Sequence, residues 1–356
     1  MRRKLTAVGA VIVGTALALG TATASAQEGP GAEPEQTPEF DFRTGDTVAT
    51  GLTIPWGLGF LPDGSGILAE RNSGDVLRVA ADADPVVLGN LEVVGGTSQF
   101  DERGLLGLAV SPDFATDGWV YAYVSTAQDN RVVRFHLNDF EPEPVLTGIP
   151  AALNHNGGRL AFGPDGKLYI TTGDANDTAN AQDLESLGGK ILRVNADGTV
   201  PEDNPIEGSP VYSYGHRNVQ GLSWGPDGAM YATEFGQNTW DELNHIEPGA
   251  NYGWPDAEGT SGDPEFVDPL VTWRTAEASP SGGEVAGDTM YVAALRGQRL
   301  WTVPVEGGEA GAPVAVLEGT LGRIRTVELG PDGWLWVATS NGGGQDKLVR
   351  YRPIGG

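Results

Sequence analysis

Residues 151–174 read AALNHNGGRLAFGPDGKLYITTGD, and this stretch holds both the unit from which the chain is built and a departure from that unit. Apolar residues occupy alternating positions on both sides of the turn at 163–166; they are Leu160, Phe162, Leu168 and Ile170. Such alternation predicts two half-buried strands joined by a tight turn. Residues 154–158, NHNGG, break the pattern immediately before the first strand.

The same Pro-Asp turn recurs at a period of about 50 residues. It stands at 61–64, 111–114, 163–166, 225–228 and 330–333, with prolines spaced by 50, 52, 62 and 105 residues. The last gap is about two periods long. Within it, GGEVAGDTMYVAAL at 282–295 repeats the strand-turn-strand pattern around a degenerate turn at Gly287 and Asp288. The chain therefore contains six repeat units.

Six units of several short strands predict an all-β fold, a six-bladed β-propeller of four-stranded antiparallel blades. A β-sandwich or two separate β-domains would not explain six turns at this period. Additional strands are predicted at 76–79, 132–136, 191–194 and 300–303, and the best helical candidate is 179–187. The ring is expected to close by pairing a strand near 46–52 with one at 347–352, in a register that the sequence does not assign.

The N-terminal segment has the pattern of an export signal. Three basic residues at 2–4 precede an apolar run at 5–20 and the small residues Ala24-Ser25-Ala26, which predicts a cleaved signal peptide at 1–26. The alternative is a membrane anchor, but the run is short for a span, and both Sec and Tat export stay open. Residues 27–40, QEGPGAEPEQTPEF, predict a disordered leader, and 41–356 form the predicted propeller.

Composition restricts the partners of the mature chain. Without the three basic residues of the signal, 19 basic residues remain from 22 against 48 acidic ones, a formal net charge of −29. So acidic a surface argues against nucleic acid or an anionic membrane as partner. The chain has no cysteine, so an exported form depends on its core, and on any bound metal, for stability.

Segments that depart from the repeat are expected to form loops at one mouth of the channel, where propellers place their chemistry. They are NHNGG (154–158), YGHRNVQG (214–221), EFGQNTWDELN (234–244) with NYGWP (251–255), SPSGG (279–283), and ALRGQ (294–298) with GRIR (322–325). His155, one of four histidines, is either an exposed loop residue or a reactive one. His216 could equally orient a loop, and His136 and His245 are predicted to be structural.

Charged residues in these loops predict two kinds of site. Arg217, Arg296, Arg323 and Arg325 form a local anion site or pair with surface carboxylates. The carboxylates of Glu234, Asp241 and Glu242 near Gly236 form a hard-cation site, calcium rather than zinc, or an ordinary acidic loop.

Taken in order, these loops resemble one family, the soluble dehydrogenases of aldose sugars and glucose that depend on pyrroloquinoline quinone (PQQ), which are six-bladed β-propellers. The resemblance runs from about Gly51 to Tyr351. It rests on ERGLLGLAVSPDF (102–114), NHNGGRLAFGPDGKLYITTGD (154–174), GKILRVNADGTVPEDNP (189–205), YGHRNVQGL, DELN with NYGWP, ALRGQ and GRIR. The chain lacks the long insertions of the glucose enzymes and is more similar to the compact aldose sugar dehydrogenases.

The resemblance implies an exported enzyme that oxidises the C1 hydroxyl of aldoses to lactones by hydride transfer to PQQ, with calcium as second cofactor. His155 matches the general base. Arg217 and Asn218 match residues at the reactive quinone oxygens. The remaining matches to cofactor-binding residues are Arg296, Arg323 and Arg325. Guanidiniums suit the three carboxylates of PQQ because they bind carboxylates in bidentate fashion.

The resemblance also implies calcium ligands, and it shows three departures. The backbone carbonyls of Gly236 and Gln237 match the ligands of the calcium that bridges protein and PQQ, and a second calcium is expected at Glu242 and the Tyr252 region. Glu102 stands where the glucose enzymes have a glutamine near the cofactor. Asn154 replaces an aspartate beside the base, and Gln237 replaces a proline.

Two other function classes stay open. A lactonase-type propeller hydrolase would need several inward carboxylates around a metal, whereas these loops supply mostly arginines and amides. A non-catalytic sugar- or protein-binding propeller would keep the fold without the redox site. The sequence does not specify the sugar, the electron acceptor or the oligomeric state.

Overall fold

The structure is a computed structural model that describes residues 40–96 and 100–354. The predicted signal peptide and the predicted leader, apart from Phe40, lie outside the described residues. Phe40 is 3% exposed, forms an isolated bridge with Pro353 and packs edge-on against Tyr291 at 5.4 Å. Within the described residues no helix is long and apolar enough to cross a membrane.

Strands make up almost all regular structure in the described residues. The elements are β1 (Asp46–Leu52), β2 (Pro55–Phe60), β3 (Gly66–Glu70), β4 (Asp75–Ala80), β5 (Ala83–Asn90), β6 (Leu105–Val110), α1 (Phe114–Asp117), β7 (Trp119–Ser125), β8 (Asn130–His136), β9 (Glu143–Ile149), β10 (Leu160–Phe162), β11 (Leu168–Thr171), α2 (Ala179–Gln182), β12 (Lys190–Val194), β13 (Val211–Tyr214), β14 (Val219–Trp224), β15 (Met230–Glu234), β16 (Trp240–Ile246), β17 (Val271–Arg274), β18 (Pro280–Ala286), β19 (Thr289–Ala294), β20 (Arg299–Glu306), β21 (Glu309–Ala310), β22 (Val314–Val316), β23 (Ile324–Leu329), β24 (Leu335–Thr339) and β25 (Asp346–Tyr351).

These strands form six antiparallel sheets in the order of the six repeat units. The sheets are β2–β5, β6–β9, β10–β13, β14–β17, β18–β21 with β22 on β20, and β23–β25 completed by β1. The first strands of neighbouring sheets contact one another around a closed ring. The predicted six-bladed β-propeller is therefore confirmed.

The ring closes as expected from the sequence. Strand β1 pairs antiparallel with β25, from Asp46 opposite Arg350 to Leu52 opposite Asp346, with two register shifts between them. The last blade thus takes its three inner strands from the C-terminal end of the described chain and its outer strand from the N-terminal end. Separating β1 from β25 would expose an unpaired edge on each of these two strands of the last blade.

The turn between the first two strands has the same structure in four blades. Its glycine adopts a positive φ of 72–85°, and its aspartate accepts a hydrogen bond from the backbone N–H two residues later; the aspartates are Asp63, Asp165, Asp227 and Asp332. In the second blade Phe114 follows Asp113 instead of glycine. Since a bulky residue disfavours the left-handed conformation, the chain forms the one-turn helix α1 and takes up a φ of 66° at Gly118.

Two details differ from expectation. The helix predicted at 179–187 ends at Gln182. The Lys190 ammonium donates hydrogen bonds to the carbonyl groups of Asn180, Ala181 and Gly188 at 2.5–3.0 Å. The first two of these carbonyls are the ones that would accept the backbone hydrogen bonds of a longer helix. Strand β11 is buried on both faces rather than half-buried. Tyr169 packs toward the fourth blade and Ile170 toward the second, because successive side chains of a strand point to opposite faces.

The buried apolar residues of the described chain form six clusters, one at each contact between neighbouring blades. Burying a side chain such as Leu168 contributes about 1.5–3 kcal/mol. We call the end of the channel where the first strands begin the front mouth. The Pro-Asp turns lie at the opposite end, the rear mouth. Loops that enter first strands or follow second strands meet at the front mouth, and they include all of the segments that depart from the repeat except 251–255, which lies in the loop between β16 and β17.

Candidate active site

The loop before β10 carries His155 to the front mouth. Asn156, which is 2% exposed, fixes this loop because its side-chain amide bonds both backbone groups of Ala152 and the side chain of Asn130. A Cβ on Gly157 would come within 2.5 Å of the Thr172 backbone. Gly157 is therefore required for the close approach of this loop to the end of β11, and a Cβ on Gly158 would come within 2.6 Å of the Leu106 side chain in the neighbouring blade. His155 itself adopts a φ of 60°.

Both ring nitrogens of His155 have partners. Nδ1 lies 2.8 Å from Asp174 Oδ1, and Nε2 lies 2.8 Å from Arg217 Nη2. Since a guanidinium can only donate, Nε2 carries the lone pair and Nδ1 carries the proton that Asp174 accepts. The imidazole is thus held in one neutral tautomer, with Nε2 facing the cationic side of the mouth.

Asp174 is 1% exposed and is held from two sides. Its Oδ2 accepts a hydrogen bond from the Trp254 indole N–H at 2.9 Å, and Oδ1 accepts from the Asn176 backbone at 2.8 Å. Burial alone would raise the pKa of Asp174, but the hydrogen bonds from His155 and Trp254 outweigh it and lower that pKa. Asp174 is therefore a carboxylate that fixes the His155 ring.

Arg217 stands between the histidine and the next blade. Its backbone N–H donates a short hydrogen bond to Glu234, and its Nη1 donates to the Phe235 carbonyl at 3.1 Å. Its guanidinium lies over the Trp254 ring at 5.5 Å. Burial is the main reason that the pKa of Arg217 is lowered, although nearby carboxylates oppose the effect.

Further guanidiniums line the channel below the mouth. Arg325, which is 6% exposed, donates to Gln220 Oε1 at 3.0 Å, and Arg159 donates to the Gln220 carbonyl at 2.9 Å while lying over the Trp56 ring at 4.3 Å. Burial lowers the pKa of Arg159 to about 10. Burial, with the charge of Arg71 next in importance, lowers the pKa of Arg325 further below its usual range.

Three buried guanidinium nitrogens in this region have no hydrogen-bond partner within the described chain: Arg159 Nη2, Arg217 Nε and Arg325 Nε. An unsatisfied buried donor costs about 1–3 kcal/mol. Like charges in low dielectric also repel one another. Both costs are removed by an anion with several acceptor oxygens, so the donor set fits a polycarboxylate.

The other predicted cofactor residues differ in position. Glu102 accepts a hydrogen bond from the His155 backbone N–H at 3.2 Å, and Asn218 Oδ1 accepts from Gly157 N at 3.0 Å. Arg323 is more exposed than Arg325 and donates to the Ser340 carbonyl at 3.2 Å. Arg296 lies exposed in the turn after β19, and its backbone N–H donates to Ala278. The cofactor-binding role of Arg296 stays a prediction.

A small cavity adjoins Arg217 and Trp254. Its volume is about 10 Å³, which is close to the space that one water molecule needs, and its lining includes Gly236, Glu242 and Tyr252. Gly236 is required here because a Cβ would lie 1.6 Å from the Trp240 carbonyl oxygen. Three of the four predicted metal ligands thus meet at one cavity.

The acceptors around this cavity fit a hard cation. Burial and the neighbouring Glu234 carboxylate raise the pKa of Glu242 to about 8, and the buried Asn244 Oδ1 has no donor within the described chain. Glu242 accepts from Asn244 at 3.1 Å and from the Gly259 backbone at 2.7 Å, so its carboxylate and the donor-free Asn244 oxygen are the oxygen ligands that calcium prefers. The described residues contain no cluster of three or more acidic, His or Cys side chains that could hold a metal, so backbone carbonyls would have to complete the set.

The remaining metal candidates are constrained by other contacts. The Tyr252 hydroxyl donates to the His245 carbonyl at 2.6 Å, which leaves its backbone carbonyl as a ligand. Gln237 N is the first of four successive backbone N–H groups that donate to Glu258 Oε1 at 2.8–3.2 Å. Glu258 thereby fixes the loop that carries the Gly236 and Gln237 carbonyls.

Sequence reasoning missed several of these residues: Arg71, Arg159, Asp174, Trp254 and Glu258. Arg159 directly precedes the first strand β10, just as Arg323 directly precedes β23. The same sequence pattern could therefore have identified Arg159. Asp174 and Trp254 lie in quoted motifs, ITTGD and NYGWP, but are 80 residues apart. Their contact forms only when loops of two blades meet.

The chain is thus a six-bladed propeller with a histidine–carboxylate pair and buried guanidiniums at one mouth. The chain belongs to the Glucose / Sorbosone dehydrogenase family, whose model matches residues 52–350. It is similar to the PQQ-bound aldose sugar dehydrogenase of Streptomyces coelicolor, with 48% identity, a TM-score of 0.82, and 86% of this chain and 96% of that chain covered.

Two curated relatives support the same placement. The aldose sugar dehydrogenase YliI of Escherichia coli is 29% identical over 85% of this chain and 91% of its own length. The quinoprotein glucose dehydrogenase B of Acinetobacter calcoaceticus is 32% identical over 69% of this chain and 59% of its own length. The predicted family is therefore confirmed, whereas the roles of individual site residues stay predictions.

Proposed function

We propose that the protein is an exported, PQQ- and calcium-dependent dehydrogenase that oxidises the C1 hydroxyl of aldose sugars to lactones. One observation carries the proposal. The His155 imidazole, fixed through Nδ1 by Asp174 at 2.8 Å, has Nε2 against the Arg217 guanidinium at 2.8 Å, and Arg217 and Arg325 each have a buried guanidinium nitrogen without a partner in the described chain. A proton acceptor and an anion site thus share one mouth of the channel.

His155 acts as general base in this proposal. The neutral imidazole takes the C1 hydroxyl proton on Nε2, and the Asp174 carboxylate stabilises the imidazolium that results. Oxidation removes a hydride from C1 as the proton leaves O1, and the lactone carbonyl forms from the remaining electrons. When bound, PQQ supplies the acceptor for that hydride.

The Arg217 contact limits when the base is available. Its Nη2 occupies the Nε2 lone pair at 2.8 Å, and one lone pair serves one donor at a time. A sugar hydroxyl can therefore bond Nε2 only when Arg217 donates to a different acceptor. An anionic or carbonyl oxygen in the mouth provides such an acceptor, so filling of the anion site and exposure of the base are coupled.

Arg325, Arg323 and Arg217 are the residues that would hold the carboxylates and oxygens of PQQ. The unpartnered nitrogens on Arg325 and Arg217 would gain charge-assisted hydrogen bonds, which are worth roughly twice neutral ones. Calcium would be held by the carbonyls of Gly236 and Gln237, and Glu242 with Asn244 offers a second acceptor set beside the same cavity.

The test is reconstitution of purified protein with PQQ and calcium, followed by dye reduction with a panel of aldoses. We expect reduction only when both cofactors are present, with lactone as product, and its loss in His155→Gln. His245→Gln is the matched control, because His245 sits at the end of β16 away from the front mouth. Lactone hydrolysis with calcium alone would instead indicate a hydrolase, and PQQ binding without turnover would indicate a binding propeller.

Export is proposed from the N-terminal pattern alone. The mature protein should be recovered outside the cytoplasm and begin at or near Gln27, which N-terminal sequencing of the extracellular and envelope fractions would show. Recovery of the intact chain with Met1 in the cytoplasm would contradict export and leave the proposed reaction untouched.

A further inference from the structure

Four side chains from two neighbouring blades form a closed circuit of contacts around the proposed base. His155 Nδ1 bonds Asp174 at 2.8 Å, Asp174 bonds Trp254 Nε1 at 2.9 Å, the Trp254 ring lies beneath the Arg217 guanidinium at 5.5 Å, and Arg217 returns to His155 Nε2 at 2.8 Å. Trp254 is the only member without a charge or an ionisable group. Apart from His155 itself, it is the member of the circuit that contacts both the Asp174 carboxylate and the Arg217 guanidinium.

Trp254 is itself firmly placed. Its side chain is 7% exposed. Its backbone N–H donates to the Gly215 carbonyl at 2.9 Å, and its carbonyl accepts from Gln182 Nε2 at 2.7 Å. A Cβ on Gly215 would come within 2.1 Å of Asn251 Oδ1, so a glycine is needed for the Trp254 loop to dock there. The indole is thus anchored independently of the residues that it contacts.

We infer that Trp254 is a positioning residue that sets the orientation and tautomer of His155 by holding Asp174 from the opposite side. The Asp174 carboxylate can rotate about its Cβ–Cγ bond. Donors on both oxygens stop that rotation, with Trp254 on Oδ2 and with His155 and Asn176 on Oδ1. Without the indole N–H, Oδ2 remains buried without that donor, and the carboxylate turns to find another.

The Trp254 ring has a second role that is separable from its N–H. An aromatic face beneath a guanidinium contributes a cation–π attraction, and it keeps Arg217 at the level of Nε2. Trp254→Phe retains a ring face and removes the donor, whereas Trp254→Gln retains a donor and removes the ring. The two variants therefore address the two contacts separately.

The inference rests on the proposed function only where it predicts a change in kcat. The hydrogen bond between His155 and Asp174 can be observed by NMR in the protein without cofactor. An imidazole N–H that bonds a buried carboxylate gives a proton resonance far downfield of the amides. Two histidines should give one: His155 through Asp174, and His216, whose Nδ1 lies 2.8 Å from Glu234 Oε2. His155→Gln assigns the first signal, and the His216 signal serves as an internal control for folding.

We expect Trp254→Phe to lose or shift the His155 resonance while the His216 resonance stays, and Trp254→Gln to keep the His155 resonance better than Phe does. In the reconstituted enzyme, Trp254→Phe should lower kcat by about 10-fold to 100-fold, the usual effect of a small misplacement of a catalytic group. PQQ affinity should change less than about threefold, because Arg217 keeps its ring contact. The matched control is Trp301→Phe, which removes an indole donor to the Glu277 carbonyl and, like Trp254→Phe, retains a ring face beneath a guanidinium, here that of Arg299, which lies 5.1 Å from the Trp301 ring.

Two results would overturn the inference. One is an unchanged His155 resonance in Trp254→Phe with wild-type kcat, and the other is a resonance that Phe retains and Gln loses. If the wild-type protein oxidises no aldose, the proposed function fails while the resonances still decide the role of Trp254. If Trp254→Phe does not fold, as judged by loss of the His216 signal, the comparison between Gln and wild type decides it.

Discussion

The two mouths of the channel use glycine and charge in opposite ways. At the rear mouth the turn glycines Gly64, Gly166, Gly228 and Gly333 all have open space where a Cβ would lie, so they are needed only for their positive φ. At the front mouth, a Cβ on Gly173 would come within 2.1 Å of the His155 carbonyl oxygen. Glycine there permits one loop to touch another, which is what assembles a site.

The two mouths also differ in how completely their charged groups are paired. The rear mouth opens into a cavity of about 460 Å³, where Glu284 accepts from Ser223 at 3.1 Å and Glu328 lies 3.8 Å from Arg159. The front mouth has buried guanidinium nitrogens without partners. Arg159 lies between the two ends. Regular turns at one end therefore keep the ring together, and irregular loops at the other end carry uncompensated donors.

The largest expected effect comes from His155 at the front mouth. His155→Gln should bind PQQ and calcium and lose turnover by roughly 10² to 10⁴, the usual contribution of a general base. Steady-state kinetics with parallel PQQ titrations would measure both, and a variant with near wild-type turnover would remove His155 from the reaction.

Arg325 comes next. Arg325→Ala removes a buried guanidinium and its charge-assisted contacts, worth about 1.5–3 kcal/mol, so PQQ affinity should fall by roughly 10-fold to 150-fold. Arg323→Ala should lose less, since Arg323 is more exposed. Arg350→Ala is the control, because Arg350 pairs with Asp46 and Asp332 at the outer and rear side of its blade. Equal losses for Arg325 and Arg350 would mean that the front mouth is not the anion site.

A smaller effect is expected for the rise in Tm that calcium produces. A ligand that binds only the folded protein raises its Tm by mass action, and Glu242→Gln should reduce the calcium-dependent rise by removing a carboxylate beside the cavity. Glu284→Gln, which removes a buried carboxylate at the rear mouth, should leave that rise unchanged. Differential scanning fluorimetry with increasing calcium would compare the three proteins, and a full rise in Glu242→Gln would place the ion elsewhere.

The smallest effect concerns the rear mouth. Burial raises the pKa of Glu328 from 4.5 to about 7, and burial together with Glu328 raises the pKa of Glu284 as well. Between about pH 4.5 and 7 the folded protein thus binds more protons than the unfolded chain, so stability falls as pH rises. Glu284→Gln should have a shallower decline in Tm between pH 5 and pH 8 than wild type, with unchanged turnover. A parallel decline would show that the pair does not interact.

The sequence predicted those features of the two mouths that come from repeated turns or from residues close together along the chain. The five Pro-Asp turns and the degenerate turn at Gly287 and Asp288 indicated six blades, because the residues that form each turn are close together in the sequence. The NHNGG and YGHRNVQG motifs drew attention to His155, Arg217 and Asn218 because they interrupt this regular pattern. The strands at the centre of the blades were expected to be half-buried because a single unit does not show that both faces have a neighbour.

What the sequence did not reveal depends on contacts between blades. Asp174 and Trp254 are 80 residues apart, and Arg325 reaches Gln220 across 105 residues. The packing of the blades around the ring brings these side chains together. No local sequence pattern indicates such contacts. Arg296 was singled out as a basic residue in a loop that departs from the repeat; it lies exposed, and its role stays a prediction.

The most direct test of the account is the position of bound PQQ in a crystal structure of the protein with PQQ and calcium. We predict that PQQ lies in the front mouth, with its carboxylates on Arg323 and Arg325 and with Arg217 turned from His155 Nε2 toward the cofactor. The nitrogens of Arg217 and Arg325 that lack partners in this structure should then be hydrogen-bonded. PQQ bound at the rear mouth or on the outer surface, with those nitrogens still unpartnered, would contradict the account.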